Sequence, residues 1–265
     1  MADSGLSAFE QRYAQWAERH VRLGAARSYP YAWRLPDLAR QADAPARSRA
    51  ALALAQTLYA MGRFGEALAA LPDAGPAPAA LELQARCLWL QGDDDGARAR
   101  LGRIAYPDSL DGLRARAGFA QLEGDPTGAA APILAYGAAA AGQGEHGAWA
   151  TLLSHWLDPE ADPARPHRAL AWLRAHRPAA SAEGEAMFAL ARLRAEPAAA
   201  LVWLDHALAQ GEHYGQHHLK ARLMLGKVRA LEAGGNLGVA AKFQALARET
   251  AQRQGAWRYL QAMAP

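Results

Sequence analysis

One group of side chains in the sequence has the types and spacing of a metal site. Glu212 precedes His213 and His217, and two histidines four residues apart would face the same side of a helix. Gly215 lies between the histidines, however, and the glutamate comes before the pair, unlike the order in the metalloprotease motif. We therefore favour solvated or capping roles for His213, His217 and His218, and we predict no metal and no cofactor.

Other candidate catalytic groups have simpler explanations. Asp93, Asp94 and Asp95 follow a glycine, and carboxylates at such a place are typical of a helix N-terminus, which they cap and stabilise. Ser154 and His155 are adjacent, and adjacent residues on a helix do not face each other, so they do not form a nucleophile and its base. A glycine-rich phosphate loop is also missing. We therefore predict that the chain is not an enzyme.

The composition indicates which elements carry these side chains. Hydrophobic residues make up 51% of the 265 residues, which is enough to bury a substantial core. Alanine and leucine dominate this class, and isoleucine occurs only at Ile104 and Ile133. Strands draw on β-branched residues, whereas alanine and leucine are strong helix formers. The composition thus predicts an all-α protein.

Charge and cysteine usage narrow the functional classes. The 29 Lys and Arg residues nearly balance 26 Asp and Glu residues, and no long basic run is present, so nucleic-acid binding is disfavoured. Cys87 is the single cysteine and is interpreted as a small buried residue. The first residues resemble no signal peptide, and apolar runs are too short to span a membrane. We predict a cytoplasmic protein.

A four-residue pattern recurs along the chain. Its first copy is Leu58, Gly62, Ala67 and Leu71, and it returns thirty residues later. Its later copies, increasingly imperfect, lie at 88–101, 119–133, 193–204 and 231–240. A regular recurrence of this kind predicts a repeat architecture.

Each copy predicts a helix hairpin. A glycine after the last helical residue can adopt the left-handed cap, and Asp125 or Asn236 next can cap the following helix. Pro126 and Pro197 suit a first helical position. The alanine five residues after the glycine position, as at Ala67, lets the second helix approach the first closely.

The repeats predict three regions. Residues 1–45 hold a first helix and an aromatic segment, 46–255 the repeats, and 256–265 a short last helix. We predict about six hairpins, at roughly 46–72, 78–104, 109–140, an irregular fourth spanning 149–173, 181–210 and 214–253. The proline-rich loop 158–166, inside the fourth hairpin, is the candidate for a bend.

The frame Leu58, Gly62, Ala67 and Leu71 resembles the tetratricopeptide-repeat signature. The stretch 231–255 is similar to the degenerate repeats of large bacterial transcriptional activators of the MalT and LuxR type. Repeat spacings of 30 and 32 residues are shorter than the usual 34. The resemblance implies a right-handed superhelical stack whose first helices line a concave groove for a peptide or partner protein.

The resemblance and the repeat register together imply a set of groove-facing residues. These candidates are Gln56, Tyr59, Glu82, Arg86, Trp89, Arg114, Gln121, Arg192 and Arg229. Tyr59 and Trp89 occupy equivalent positions and would form an aromatic pair, and the arginines would hold a carboxylate. The alternative is that Trp89 belongs to the core and the arginines are solvated.

Two questions of function stay open at this point. The main hypothesis is a scaffold that binds a protein or peptide, and the alternative is a ligand- or peptide-sensing regulatory module linked to transcription. The aromatic segment 29–33 is either a cap over the first hairpin or an exposed docking segment, and we favour the cap because repeat arrays need covered ends.

Overall fold

The protein is all-α. The computed structural model describes residues 7–40, 42–162 and 164–263, and in these ranges the chain forms α-helices and short 3-10 helices but no strand. This confirms the prediction from the alanine- and leucine-rich composition. Across those same ranges, no helix is both long and apolar enough to cross a membrane.

Three helices precede the first of six helix pairs in the described part of the chain. They are α1 (Ala8–Leu23), α2 (Ala25–Ala32) and α3 (Leu35–Ala39). The segment that we predicted as an aromatic connector is therefore largely helical, although Pro30 lies inside α2. One proline removes one backbone hydrogen bond, and a short helix that packs on α1 and α4 (Ala44–Ala60) tolerates this loss.

The remaining helices follow in pairs whose members pack against each other. The pairs are α4 with α5 (Phe64–Ala70), α6 (Pro78–Leu90) with α7 (Asp94–Leu101), α8 (Leu110–Glu123) with α9 (Pro126–Ala140), α10 (Gly144–Leu157) with α11 (Ala164–His176), α12 (Pro178–Ala195) with α13 (Leu201–His213), and α14 (Lys220–Ala233) with α15 (Leu237–Gln254). A short α16 (Trp257–Gln261) follows. The 3-10 helices are Leu71–Ala74, Ala198–Ala200 and His217–Leu219.

The turns between paired helices follow the local chemistry of the sequence. The turn glycines share a backbone φ between 75° and 89°, in the left-handed region; they are Gly62, Gly92, Gly124 and Gly235. The Asp93 carboxylate accepts a hydrogen bond from the Gly96 amide, and the Asp125 carboxylate accepts from the Thr127 and Gly128 amides. These caps confirm the interpretation of Asp93 and Asp125.

Some predicted turn details are wrong. Asn236 precedes α15, but its side chain makes no capping hydrogen bond. Pro197 lies just before the 3-10 helix Ala198–Ala200 and is not the first residue of an α-helix. Helix α11 begins at Ala164, so Pro166 lies in its first turn, where no amide donor is needed, and not in the predicted loop.

Small residues allow close packing within the pairs. The alanines that follow the turn positions are at most 3% exposed: Ala67, Ala97, Ala129, Ala200 and Ala240. The predicted close approach of each second helix to its first is therefore present at these positions.

The first helices of the six pairs form a continuous row. Along the chain, α4 contacts α6, and the contacts continue through α8, α10, α12 and α14. The ends of the row also meet, because the 3-10 helix His217–Leu219 contacts α4 and α16 contacts α6. One hydrophobic core joins α4, α5 and α6 to α14, α15 and α16. The first helices therefore surround a central space.

Helix α1 lies over one end of this central space. Its Trp16 indole Nε1 donates a hydrogen bond of 2.9 Å to the buried Thr57 hydroxyl on α4. On the other side, α1 packs against α12. The Ala25 amide at the start of α2 donates to the Tyr214 carbonyl, at 3.0 Å. The N-terminal helices therefore connect the first pair to the fifth.

Candidate binding cavity

A cavity of about 460 Å³ lies inside the row of first helices, beneath α1. Its walls come from α1, α4, α6, α8, the first turn of α10, the start of α12 and the 3-10 helix His217–Leu219. We call it the central cavity. Helices α8, α10 and α12 contribute residues from their first turns, α6 contributes residues from Ala79 to Arg86, and α4 contributes residues from its end.

The structure brings five predicted groove residues to the central cavity. They are Gln56, Tyr59, Glu82, Arg86 and Arg114, from the first helices of three successive pairs. The shared position in the repeat register thus places them on one surface. Tyr59 lies deep in this wall, and burial raises its pKa above the usual value.

Arg86 ties opposite sides of the cavity together. Its Nη2 lies 2.7 Å from Glu82 on the same helix, and its Nη1 lies 3.1 Å from Glu183 on α12. Burial alone would raise the pKa of Glu183 and is the largest single influence, but its positive neighbours, Arg86 foremost and Arg114 with it, together lower the pKa below its usual value. The pair is therefore charged at neutral pH and joins α6 to α12.

A second ion-pair chain lies closer to α8 and α10. The Glu145 carboxylate accepts a hydrogen bond of 2.9 Å from Arg177 Nε, and its other oxygen lies 3.6 Å from Arg114 Nη1. The Arg114 guanidinium also lies over the Trp149 ring, 5.4 Å from its centroid, which is within the distance of about 6 Å for a cation–π contact. All three arginines that line the cavity thus already have carboxylate partners.

His218 provides an unpaired acceptor at the inner end of the cavity. It is 8% exposed, and its ring centroid lies 4.7 Å from that of Tyr59. The ring is hydrogen-bonded to the Ala60 backbone, while Nδ1 is buried with no hydrogen-bond partner among the described residues. Burial lowers the pKa of His218 to about 4, so the ring is neutral and Nδ1 can accept a hydrogen bond.

The other predicted groove residues lie elsewhere. Trp89 is 7% exposed and its ring contacts Tyr259, whereas the Tyr59 ring contacts Phe64 and His218, so the expected aromatic pair of Tyr59 and Trp89 does not form. Gln121 is buried beneath the cavity and its carbonyl accepts a hydrogen bond from Arg222.

Arg192 and Arg229 also lie away from the central cavity. Arg192 pairs at 2.9 Å with Glu196, the residue that follows the end of its helix. Arg229 is exposed and lines a different pocket, at the far end of the row. Both residues lie in or near the last turns of their helices. The part of α12 that lines the central cavity is its first turns.

The histidine group from the sequence does not lie on one helix. His213 ends α13 and packs against Tyr214, while His217 and His218 belong to the following 3-10 helix. His217 lies 3.8 Å from Glu212. In the described ranges, no three His, Cys, Asp or Glu residues are arranged to hold a metal ion. Cys87 is buried and unpaired, as predicted.

The aromatic segment is divided between the core and the surface. Tyr29 packs against the core of the first pair, and Tyr31 lies under the guanidinium groups of Arg12 and Arg19. Trp33 is 49% exposed. Two of the three rings therefore hold the N-terminal helices in place, and one faces solvent.

Several cavity residues were missed by the sequence reasoning. Trp16 and His20 come from α1, which no repeat register includes, and burial lowers the pKa of His20 to about 4. Glu145, Arg177 and Glu183 come from the irregular fourth pair and the start of the fifth. The available signal was an Arg or Glu in the first two turns of each first helix, such as Glu82 in α6 and Glu183 in α12.

Comparison with models of known protein families gives no match, and comparison with curated proteins gives none either. The functional argument therefore rests on the residues of the central cavity.

Proposed function

We propose that this chain is a non-catalytic binding module, built of tetratricopeptide-like hairpins, that takes a short peptide segment in the central cavity. The observation that carries the proposal is the convergence of five groove candidates from three repeats on one cavity of about 460 Å³. This volume lies within the range of about 300–1,000 Å³ that is usual for ligand sites.

The position of α1 argues for a small occupant. Trp16, Ala17 and His20 of α1 line the cavity, so a helix of the protein itself covers the surface that a partner helix would use. A short extended segment needs less room, because an α-helix with its side chains is about 10–12 Å across. The peptide of this proposal is therefore a chain end or an exposed loop.

The chemistry of the lining argues for a ligand that donates hydrogen bonds. Four carboxylates line the cavity against three arginines, and Glu82, Glu145 and Glu183 are the partners of those arginines. Asp111 has no arginine partner among the described residues, so the lining carries one negative charge in excess. His218 Nδ1 adds an unpaired acceptor. Amide N–H groups, an N-terminal ammonium or a lysine side chain satisfy such groups, because buried acceptors need donors.

A sensing module is the second candidate, and the cover formed by α1 favours it. A ligand that fills the cavity contacts α1, α8 and α12 together, so its binding energy also stabilises the attachment of α1. A regulatory partner that binds α1 would then distinguish the ligand-bound protein from the free protein. Cytoplasmic location and the absence of nucleic-acid binding stay predictions from the sequence.

The proposal is tested with defined hexapeptide pools, one rich in lysine with free N-termini and one rich in glutamate with acetylated N-termini. We expect fluorescence anisotropy to show binding of the first pool and at least tenfold weaker binding of the second. Ala79→Trp places a large ring at the cavity wall, at an exposed position in the first turn of α6, and is expected to abolish binding.

Ala138→Trp on the exposed face of α9 is the matched control and is expected to bind as the wild type does. Equal binding of both pools would contradict the proposed ligand chemistry. Unchanged binding by Ala79→Trp would show that the peptides bind outside the central cavity.

A further inference from the structure

A second pocket, of about 320 Å³, lies at the opposite end of the row, where the first helices end. Trp89, Trp156 and Arg194 come from the last turns of α6, α10 and α12, and Tyr259 comes from α16. Four arginines line this pocket: Arg194, Arg222, Arg229 and Arg258. We call it the arginine pocket.

The helices present these residues as continuous stripes. Arg222, Leu225 and Arg229 are three or four residues apart on α14, so they lie on one face of that helix. Leu190 and Arg194 form the corresponding stripe on α12. Positive groups and apolar surface therefore alternate around one opening.

Most of the positive charge in the arginine pocket has no counterion. Arg258 pairs with Asp94, but Arg194, Arg222 and Arg229 have no carboxylate partner in the part of the chain that the structure describes. The one carboxylate among the lining residues, Glu123, is itself paired with Arg98 at 3.1 Å. The central cavity differs, because each of its arginines has a carboxylate partner.

Two of the arginines without a carboxylate partner contact carbonyl groups near helix C-termini. Arg194 Nη1 donates to the Trp156 carbonyl at 2.5 Å, and Arg222 Nη2 donates to the Gln121 carbonyl at 3.2 Å. Positive groups near helix C-termini are stabilising. Each guanidinium has five N–H donors, however, and these contacts use only some of them. Arg229 is exposed and makes no such contact with any residue that the structure describes.

Aromatic rings hold two of the guanidinium groups in place. Arg194 lies 5.0 Å from the centroid of the Trp156 ring, and Arg258 lies 5.0 Å from that of Trp89. A guanidinium stacked on a ring keeps its N–H donors at its edge, where they can meet a planar oxyanion. The site is thus held in position before a ligand arrives.

We propose that the arginine pocket binds a small organic oxyanion, a carboxylate or a phosphate ester attached to an apolar body. The arginines hold the anionic end through paired hydrogen bonds, and Leu225 and Tyr259 contact the apolar body. This site is separate from the central cavity and binds the opposite charge type. The chain therefore has two binding sites, one at each end of its row of first helices.

Phenyl phosphate and phenylacetate are the probes, and benzyl alcohol is the uncharged control. We expect at least one anion to shift the indole N–H signals of Trp89 and Trp156 in the ¹H–¹⁵N spectrum of the whole protein, with those of Trp33 and Trp172 unchanged. A dissociation constant of about a millimolar is the order expected for ligands of this size. The two anions distinguish carboxylate from phosphate as the preferred group.

Arg229→Glu is the test variant, and Arg116→Glu is its matched control, because Arg116 is exposed on α8 away from the pocket. We expect about tenfold weaker binding for Arg229→Glu and less than a twofold change for Arg116→Glu. The proposal is overturned if neither anion shifts the two indole signals, if benzyl alcohol shifts them equally, or if both variants weaken binding alike.

Discussion

At the residue scale, two neutral histidines characterise the central cavity. Burial lowers the pKa values of His20 and His218 to about 4, whereas in the unfolded chain both have an ordinary pKa near 6.5. Between about pH 4 and 6.5, both rings are therefore largely protonated in the unfolded chain but neutral in the folded protein. Protonation favours unfolding between these two pH values.

The first prediction follows from this difference. Stability from His20 and His218 is fully present above about pH 6.5 and is lost as the pH falls towards 4, by up to about 1.4 kcal/mol per pH unit for each histidine. Urea denaturation at several pH values is expected to show this decline. His218→Phe is expected to make it shallower, whereas His176→Phe, on the exposed end of α11, is expected to leave it unchanged.

The second prediction concerns the hydrogen bond that holds α1 in place. Thr57→Val keeps the side-chain shape but removes the acceptor of the Trp16 indole N–H, which stays buried. We expect a loss of about 1–3 kcal/mol in the free energy of unfolding. Thr57→Ser keeps the hydroxyl and is expected to lose less. Equal losses in the two variants would mean that packing, not this hydrogen bond, holds α1.

At the element scale, the first helices are tied across the central cavity by charge. Arg86 on α6 lies between Glu82 and Glu183, so removing it leaves two carboxylates close together without their counterion. Breaking a buried ion pair in this way is much more costly than losing a surface pair. The cavity admits some water to Glu183, whose side chain is 34% exposed, which moderates the effect.

The third prediction is that Arg86→Met lowers the free energy of unfolding at pH 7 by about 3 kcal/mol. Because Glu183 would then lose the positive charge that helps to lower its pKa, the loss is expected to shrink as the pH falls towards 4. Arg116→Met is the exposed control and is expected to change stability by less than about 0.5 kcal/mol. A loss that is independent of pH would contradict the electrostatic explanation.

The elements also show how far local sequence determines this fold. Turn glycines such as Gly62 and Gly124 and the capping carboxylates of Asp93 and Asp125 act within a few residues, so the hairpins could be predicted from them. Their register also gave five residues of the central cavity. Helix α2 was not predicted, because its proline would normally end a helix and only tertiary packing compensates.

At the scale of the whole molecule, the decisive contacts are distant in sequence. Tyr59 on α4 packs against His218, and Gly62 lies next to the Gln254 side chain. The repeat pattern does not indicate that the last helix pair contacts the first. That contact determines which surface Trp89, Arg192 and Arg229 reach. The sequence therefore predicted the repeating unit but not the surface that each residue reaches.

The fourth prediction is that the first and last pairs unfold together. In an open array each repeat contacts only its neighbours, so a change in the last pair has little effect on the first. Here Ala251 on α15 belongs to the same core as Ala51 and Ala55 on α4. Ala251→Leu is expected to overpack this core, at a cost of about 1–3 kcal/mol, and to reduce amide protection in α4 as much as in α14. Ala138→Leu on the exposed face of α9 is the control.

The central claim is that the cavity beneath α1 is the binding site, and hydrogen exchange measured by mass spectrometry tests it most directly. With the lysine-rich hexapeptide pool at saturation, we expect slower exchange in 79–86, 111–114, 177–183 and 216–218, together with slower exchange in α1. Protection confined to the outer helices α9, α13 and α15, with the segments around the cavity unchanged, would contradict the account.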